Sequence, residues 1–514
     1  MPKARRKKGV LNERTVIRSN QMKGKHAVKP LTTLHKKANK VQAVTTVAST
    51  SYKPSGLQCH NILHRQAAQA VRRLLAADSG HSKGVSLKSL TLAPHIENKK
   101  ATYAVTCQVL KYLPVLKSVL EKASLVEVPE QMDHVVAYVL CYELLFGQGV
   151  SSRGKAERVV RKHQAEIRAA LKAVLMEKGV NSVDQLLSQN TVTPPSLHPR
   201  WLRVNLLKSS VKKVVALLLN PDPIWPKPYN KPYKESDVVL DALLPDVMSL
   251  PPGSDLHDHP LVIEGVIILQ SKASCMPAHA LKPMAGWTVV DCCAAPGNKT
   301  THIAALIKAA GGNGMVIAFD RDERRLERLN GNAVRAGAMH IISARLHDFL
   351  SVDPECEEMS QVQGIILDPS CSGSGTIYSR MDHLLPSSAA GPRFRGGNSF
   401  DNDEGQMGQE ETERLERLAS FQEAALRHAL HFPAVKRLVY STCSVHQREN
   451  EDVVAAVLPE AHSLGFRLKD PFPEWHRRGR PVLEGHDMLV RTDACLDGTD
   501  GFFVALFERT SDPT

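Results

Sequence analysis

The sequence predicts an α/β protein in which a doubly wound, mostly parallel sheet fills the C-terminal half, preceded by a small α+β unit and an N-terminal helical domain. Three observations carry this prediction. From residue 287 onward, strand-like apolar runs alternate with helix-like segments, the pattern of strands joined by helical crossovers. The first of these strands runs into a small-residue turn, Asp291-Cys292-Cys293-Ala294-Ala295-Pro296-Gly297-Asn298-Lys299-Thr300. Two later strands end near cysteines, Cys371 and Cys443, at the carboxyl edge where such sheets bind ligands.

The elements follow in chain order. Residues 1–41 hold 13 Lys/Arg and a single acid, Glu13, a net +12 out of +13 for the whole chain. Residues 1–52 lack apolar periodicity and read as a disordered basic tail suited to polyanion binding or nuclear targeting; a merely solvated end is compatible with both. Residues 53–190 read as helical. Ala67–Ala76, Tyr103–Ala123, Val135–Phe146 and Ala156–Lys178 repeat apolar residues every three or four positions, and Gly147 and Gly149 supply a stop. Thr191–Pro199 reads as a linker.

Residues 200–270 change character. Arg203-Val204-Asn205 is extended, five prolines between Pro221 and Pro232 forbid helix, and Val262–Leu269 reads as a strand. The catalytic-looking segment spans 271–514. Its strands are expected at Trp287–Cys292, Met315–Asp320, Ile341–Leu346, Gly364–Pro369 and Arg437–Ser441, with a late antiparallel one at Gly501–Glu508. Helices are expected at Thr300–Ala310, Arg324–Ala336, Glu411–His431 and Glu449–Leu458, and 382–410 reads as a flexible insertion.

Composition excludes several classes. The apolar fraction, 42%, is that of a globular protein, and no apolar run reaches the roughly 18 residues of a membrane span. The start, Met1-Pro2-Lys3-Ala4-Arg5-Arg6, has no apolar signal region. The ten cysteines form no CxxC pair, which argues against zinc, and a disulfide framework does not suit so long a chain. Reduced, intracellular thiols are expected.

Small residues in the first turn let backbone approach a ligand, the helix beyond offers unpaired N–H groups to a carboxylate, and Lys299 adds a cation. Close packing alone would also use small residues. The turn lacks both GxGxxG and GxxxxGK[ST], which disfavours a dinucleotide and a P-loop. Asp320, at the end of the second strand, has the spacing of a ribose-binding carboxylate. Arg325 and Asp348 follow near the switch point; Asp348 is either a contact for an adenine amine or a helix cap before Phe349. Asp368-Pro369-Ser370-Cys371-Ser372-Gly373-Ser374-Gly375 and Tyr440-Ser441-Thr442-Cys443-Ser444 place cysteines in polar settings, unlike buried small hydrophobes. A thiolate there adds readily to a polarised double bond.

These three motifs, with Glu449-Asn450-Glu451-Asp452 and Arg203-Val204-Asn205-Leu206-Leu207-Lys208, resemble the signatures of the NSUN (Sun-domain) RNA cytosine-5 methyltransferases over roughly residues 200–509. The Ser-Gly-Ser-Gly run and His257-Asp258-His259-Pro260 are most similar to the branch acting on large-subunit (25S/28S) ribosomal RNA. The resemblance implies a Rossmann-like, S-adenosylmethionine-dependent methyltransferase domain after a small RNA-binding subdomain at 200–270. It implies that Cys293, Ala294, Ala295, Pro296, Gly297, Asn298 and Lys299 form the cofactor loop, with Asp320 on the ribose and Arg325 and Asp368 also at the cofactor site. Asp348 is carried as a further cofactor contact. Cys443 matches the nucleophile and Cys371 the cysteine that resolves the covalent adduct. Cys292 departs from the small residue common there; the 382–410 insertion and the basic tail depart from the family pattern too. The expected partner is RNA, with no membrane and no metal, in the nucleus and nucleolus. A DNA enzyme, a methyltransferase of transfer RNA, and a catalytically silent ribosome-assembly scaffold are the competing readings.

Overall fold

The computed structural model describes residues 57–79, 85–123, 132–190, 198–386 and 409–510. The predicted tail at 1–52 and the body of the predicted insertion, 387–408, lie outside the described residues.

The N-terminal region is built from α1 (Ile62–Asp78), α2 (Leu87–Thr91), α3 (Lys99–Lys122), α4 (His134–Leu145), α5 (Lys155–Lys162), α6 (Gln164–Glu177) and α7 (Val183–Asn190). Side-chain caps start several of them: Asn61 accepts from Leu63 N, Asn98 from Ala101 N and Asp133 from Val135 N. Their apolar stripes meet in one core that includes Val71, Leu116 and Val139. The predicted single helix Ala156–Lys178 is two, hinged at His163. Val160 and Ile167 are seven residues apart, about two helical turns, so the apolar spacing carries through the hinge unchanged.

The next unit is an antiparallel sheet in the order β2 (Val239–Leu240), β3 (Val247–Leu250), β1 (Arg200–Val204), β4 (Ile267–Ile268), with α8 (Val211–Leu219) against it. The strand expected at Val262–Leu269 is corrected: α9 (Pro260–Ile263) comes first and only Ile267–Ile268 pairs. His259 caps Leu261 N and Pro260 sits at the first helical position. Gly265, at φ +68°, then turns the chain.

The C-terminal sheet has the order β10 (Phe466–Lys469), β12 (Phe502–Arg509), β9 (Arg437–Thr442), β8 (Gly364–Leu367), β5 (Thr288–Asp291), β6 (Met315–Asp320), β7 (Ile342–Leu346), with β11 (Val490–Thr492) beside β12. The run β9-β8-β5-β6-β7 is parallel, and β10, β11 and β12 are antiparallel to their neighbours. Alternate side chains enter opposite cores. Val289, Ile366 and Val439 face one; Val290, Ile365 and Leu438 face the other. Helices α10 (Lys272–Leu281), α11 (Asn298–Ala309), α12 (Glu323–Ala336), α13 (Ile377–Arg380), α14 (Gln409–Leu430) and α15 (Glu451–Ser463) complete the layers.

The units are stitched by buried polar groups. Arg203 Nε donates to Gln270 Oε1 at 3.1 Å, and its Nη2 donates to Thr301 Oγ1 at 3.2 Å and Asn298 O at 3.4 Å. Asn205 Nδ2 donates to Gly265 O and Ala336 O. Asp246 accepts from His279 Nε2 at 2.6 Å and His302 Nε2 at 2.9 Å. At the start of the predicted insertion, residues 382–384 form a 3-10 turn, and Leu384 and Leu385 pack on the helical core. The other end is helical, since α14 begins at Gln409. Both described flanks of the predicted insertion are therefore helical.

Candidate active site

The first βα turn is closed by its own side chains. Asp291 is buried, and its Oδ2 accepts from Thr300 Oγ1 at 2.7 Å. Burial pushes the Asp291 carboxyl up to about 7 against the pull of that bond. Gly297 adopts φ +97°, and a Cβ there would meet Leu329 Cγ at 3.0 Å. Asp320 ends β6 with its carboxylate under the turn: Ala295 N donates to Oδ2 at 3.1 Å and Asp322 N to Oδ1 at 3.0 Å. Arg325 Nη2 donates to Ala295 O at 2.6 Å, binding α12 to the same turn.

Beside this clasp opens a cleft walled in part by Cys293, Asp320, Arg325, Asp348, Phe349 and Leu350. S-adenosylmethionine fits its chemistry, with carboxylates for hydroxyls and an amine and apolar walls for a base. Of the predicted loop, Cys293 lines the cavity, while Ala294 and Ala295 are buried in the core, Pro296 is exposed and Gly297 caps α11. Asn298 spends its carbonyl on Arg203. Asp348 caps Leu350 N through its Oδ1 at 3.1 Å and also lines the cleft. Phe349, Leu350 and Phe421 also wall the cleft and are not marked in the sequence, because apolar walls carry no motif.

The second half of the site is built from the ends of β8 and β9. Asp368 Oδ2 accepts from Lys299 Nζ at 2.7 Å, and its Oδ1 from Ser441 Oγ at 3.0 Å. Lys299 therefore serves the strand ends and is not a wall of the cavity. Burial would lower its pKa, but Asp368 outweighs that and holds it above the ordinary lysine value. Cys371 and Cys443 come together with 3.2 Å between their sulfurs. Read with Cys371 donating, that contact lowers the Cys443 thiol against the cost of burial, and the nearby Lys299 charge adds to it. Cys371 is pushed up by the same contact and by burial.

Hydroxyls tie the two cysteine loops. Ser372 Oγ donates to Ser374 Oγ and Ser444 Oγ at 3.1 Å, and Val445 N donates to Ser374 Oγ at 3.0 Å. Gly375 N donates to Cys443 O at 2.9 Å, and Gly501 crowds so close that a Cβ on Gly375 would lie 2.0 Å from Gly501 O. The turn from β11 to β12 thus clasps the two cysteine loops, a role hidden in the sequence because three-residue β11 leaves no periodic signal.

Comparison with known proteins follows from this geometry. Residues 100–187 match the N-terminal domain of NOL1/NOP2/Sun domain family member 5, and residues 198–270 match its ferredoxin-like domain. Residues 278–385 match the 16S rRNA methyltransferase RsmB/F family. The 25S rRNA (cytosine-C(5))-methyltransferase NSUN5 of Arabidopsis thaliana is 44% identical over 447 residues, covering 87% of this chain and 73% of that protein. The chain belongs to the NSUN5 family of rRNA cytosine-C5 methyltransferases. Another relative, the 28S rRNA (cytosine-C(5))-methyltransferase of Mus musculus, is 38% identical over 436 residues, covering 83% of this chain and 88% of that one. The crystal structure of PH0851 shares the fold at 22% identity and a TM-score of 0.56, covering 88% of this chain and all of that one. As an NSUN5-family chain the protein is an S-adenosylmethionine-dependent methyltransferase. Its family-specific ferredoxin-like segment coincides with the β2-β3-β1-β4 sheet.

Proposed function

We infer that this protein methylates carbon 5 of a cytosine in large-subunit ribosomal RNA, with Cys443 as attacking thiolate and Cys371 as the group that releases the product. The 3.2 Å approach of the two sulfurs beside the Lys299–Asp368 pair carries this reading, and the relatives named for 25S and 28S rRNA support the substrate.

Carbon 5 of cytosine is a poor nucleophile. Addition of the Cys443 sulfur at carbon 6 makes carbon 5 enamine-like. Bound S-adenosylmethionine supplies an electrophilic sulfonium methyl for it. Asp320, Asp348, Cys293 and the backbone of the 293–299 turn would hold that cofactor, with Arg325 bracing the turn. Asp368 has a carboxylate fixed by Lys299 and Ser441, suited to accept from the cytosine amine. The base must be unstacked to reach the sulfur, which costs least in single-stranded or loop RNA. In the same reading the basic residues of the first 41 positions hold RNA and direct the chain to the nucleolus.

The test is methyl transfer to large-subunit rRNA fragments, followed by mapping of 5-methylcytosine. Activity should vanish in Cys443→Ala, while Cys371→Ala should leave a protein–RNA adduct on a denaturing gel. An adduct with Cys443→Ala instead would reverse the two roles, and methylation of transfer RNA alone would overturn the substrate.

A further inference from the structure

Glu449 and Gln422 are both fully buried, yet neither lines the cofactor cavity nor reaches either sulfur. They bracket Cys371. Glu449 Oε1 accepts from Ser372 N at 2.9 Å, the residue after the cysteine. Gln422 Nε2, on α14, donates to Ser370 O at 3.0 Å, the residue before it, and to Glu449 Oε1 at 3.0 Å. The hydroxyl of Tyr440, on β9, donates to Glu449 O and lies 3.3 Å from Gln422 Oε1, so the bracket is anchored three residues before Cys443. The other Glu449 oxygen, Oε2, is buried and meets no hydrogen-bond partner among the described residues.

We propose that Glu449 is a positioning residue for Cys371: with Gln422 it clamps the backbone on both sides of that cysteine and so sets its sulfur against Cys443 for product release. The inference rests on the roles of the two cysteines given above. In release, a water-borne base takes the proton from carbon 5. The C5–H electron pair becomes the C5=C6 double bond. The C6–Sγ pair returns to Cys443, where the hydrogen bond from the Cys371 thiol receives the charge. Methyl transfer itself precedes this step, and Cys371 assists it only through its hydrogen bond to Cys443, beside the Lys299 charge that lowers the same thiol. Loosening the clamp therefore slows release and spares the first turnover. The charge of Glu449 also helps hold the Cys371 proton in place, since it is among the causes that raise that thiol.

The experiment compares full-length Glu449→Ala, Glu449→Gln, Gln422→Met and Cys371→Ala with the unaltered enzyme. It follows S-adenosylmethionine affinity, the first turnover, steady-state turnover and covalent RNA adduct. Glu449→Ala should bind cofactor normally and complete the first turnover within about threefold of the unaltered rate. Its steady-state rate should fall at least tenfold, with an adduct band approaching that of Cys371→Ala. Glu449→Gln keeps an acceptor for Ser372 N and should clear most of the adduct. Should the alanine variant not fold, Gln422→Met frees only the Ser370 side and should still accumulate adduct. An adduct in Cys371→Ala but in neither clamp variant overturns this role alone. No adduct in Cys371→Ala overturns the reading of the cysteines on which it rests.

Discussion

Lys299 Nζ lies 2.7 Å from Asp368 Oδ2, so one ion pair joins the cofactor turn after β5 to the strand end that carries Cys371. The lysine grows from the first turn of α11, and the aspartate directly follows β8, the parallel neighbour of β5. The pair sets the charge around the sulfurs, because Lys299 also lowers the Cys443 thiol.

Lys299→Met should therefore slow methyl transfer more than it weakens cofactor binding. Loss of a hydrogen bond to a charged group is worth about 1.5–3 kcal/mol, or roughly a 10- to 150-fold drop in rate. Without the cation the Cys443 thiol ionises at higher pH, so raising the pH should restore part of the rate. Single-turnover rates across pH 6.5–9 measure this. A variant with unchanged rate but lost cofactor affinity would return Lys299 to the cofactor loop.

Asp320→Ala should weaken S-adenosylmethionine binding by about 1.5–3 kcal/mol. The carboxylate lines the cavity and also receives Ala295 N, so part of the loss comes from a loosened turn. Asp320→Asn keeps an acceptor for Ala295 N and should lose less. Calorimetric titration separates the variants, and unchanged affinity in both would remove Asp320 from the site.

Strongly patterned elements were legible in the sequence. β6 falls at the predicted Met315–Asp320, and β12 at Phe502–Arg509 is antiparallel as expected. The cysteines and Asp368 were readable because strand ends announce themselves by apolar runs stopping at polar residues. Short elements were not. β4 has two residues, too few for periodicity, and Phe466-Arg467-Leu468-Lys469 of β10 mixes charges into an edge strand. The long-range partners of the site were also invisible. Gln422 sits among the buried residues of α14 next to Leu426 and Ala429, and a polar residue on an apolar helix face was the one available signal for it. Arg203 and Asn205 could be read as a motif, but not as the bolts between two units, because their partners lie up to 131 residues away.

His302 gives a pH-dependent prediction. Burial, then the charge of Arg203, push its pKa down to about 3 despite the hydrogen bond to Asp246. Burial would raise the Asp246 carboxyl, but His302 and the bonds from both imidazoles outweigh it and hold it well below the usual range. Below about pH 6.5 an unfolded His302 takes a proton that the folded one refuses. Stability from this group is thus present above pH 6.5 and lost as pH falls toward 3, at up to about 1.4 kcal/mol per pH unit. Denaturant unfolding between pH 7.5 and 4.5 should therefore be less steep in pH for His302→Gln than for the unaltered protein. Equal slopes would mean the pair does not couple the units through protonation.

Deleting residues 1–50 should weaken RNA binding chiefly at low salt. Those positions include the 13 Lys/Arg and the net +12 counted over residues 1–41, while the rest of the chain is nearly neutral. Affinity from phosphate contacts falls linearly on a log–log plot against salt, with a slope set by how many phosphates are neutralised. Removing the tail should flatten that slope and leave specific contacts made elsewhere. The groups that hold the cofactor cavity and both sulfurs begin at Arg203 and run to Gly501, so the maximal rate at saturating RNA should barely change. Filter-binding isotherms from 25 to 300 mM salt, paired with saturating methyl-transfer rates, test both parts. A truncated enzyme that binds S-adenosylmethionine normally but fails to methylate saturating RNA would place the tail within the catalytic machinery.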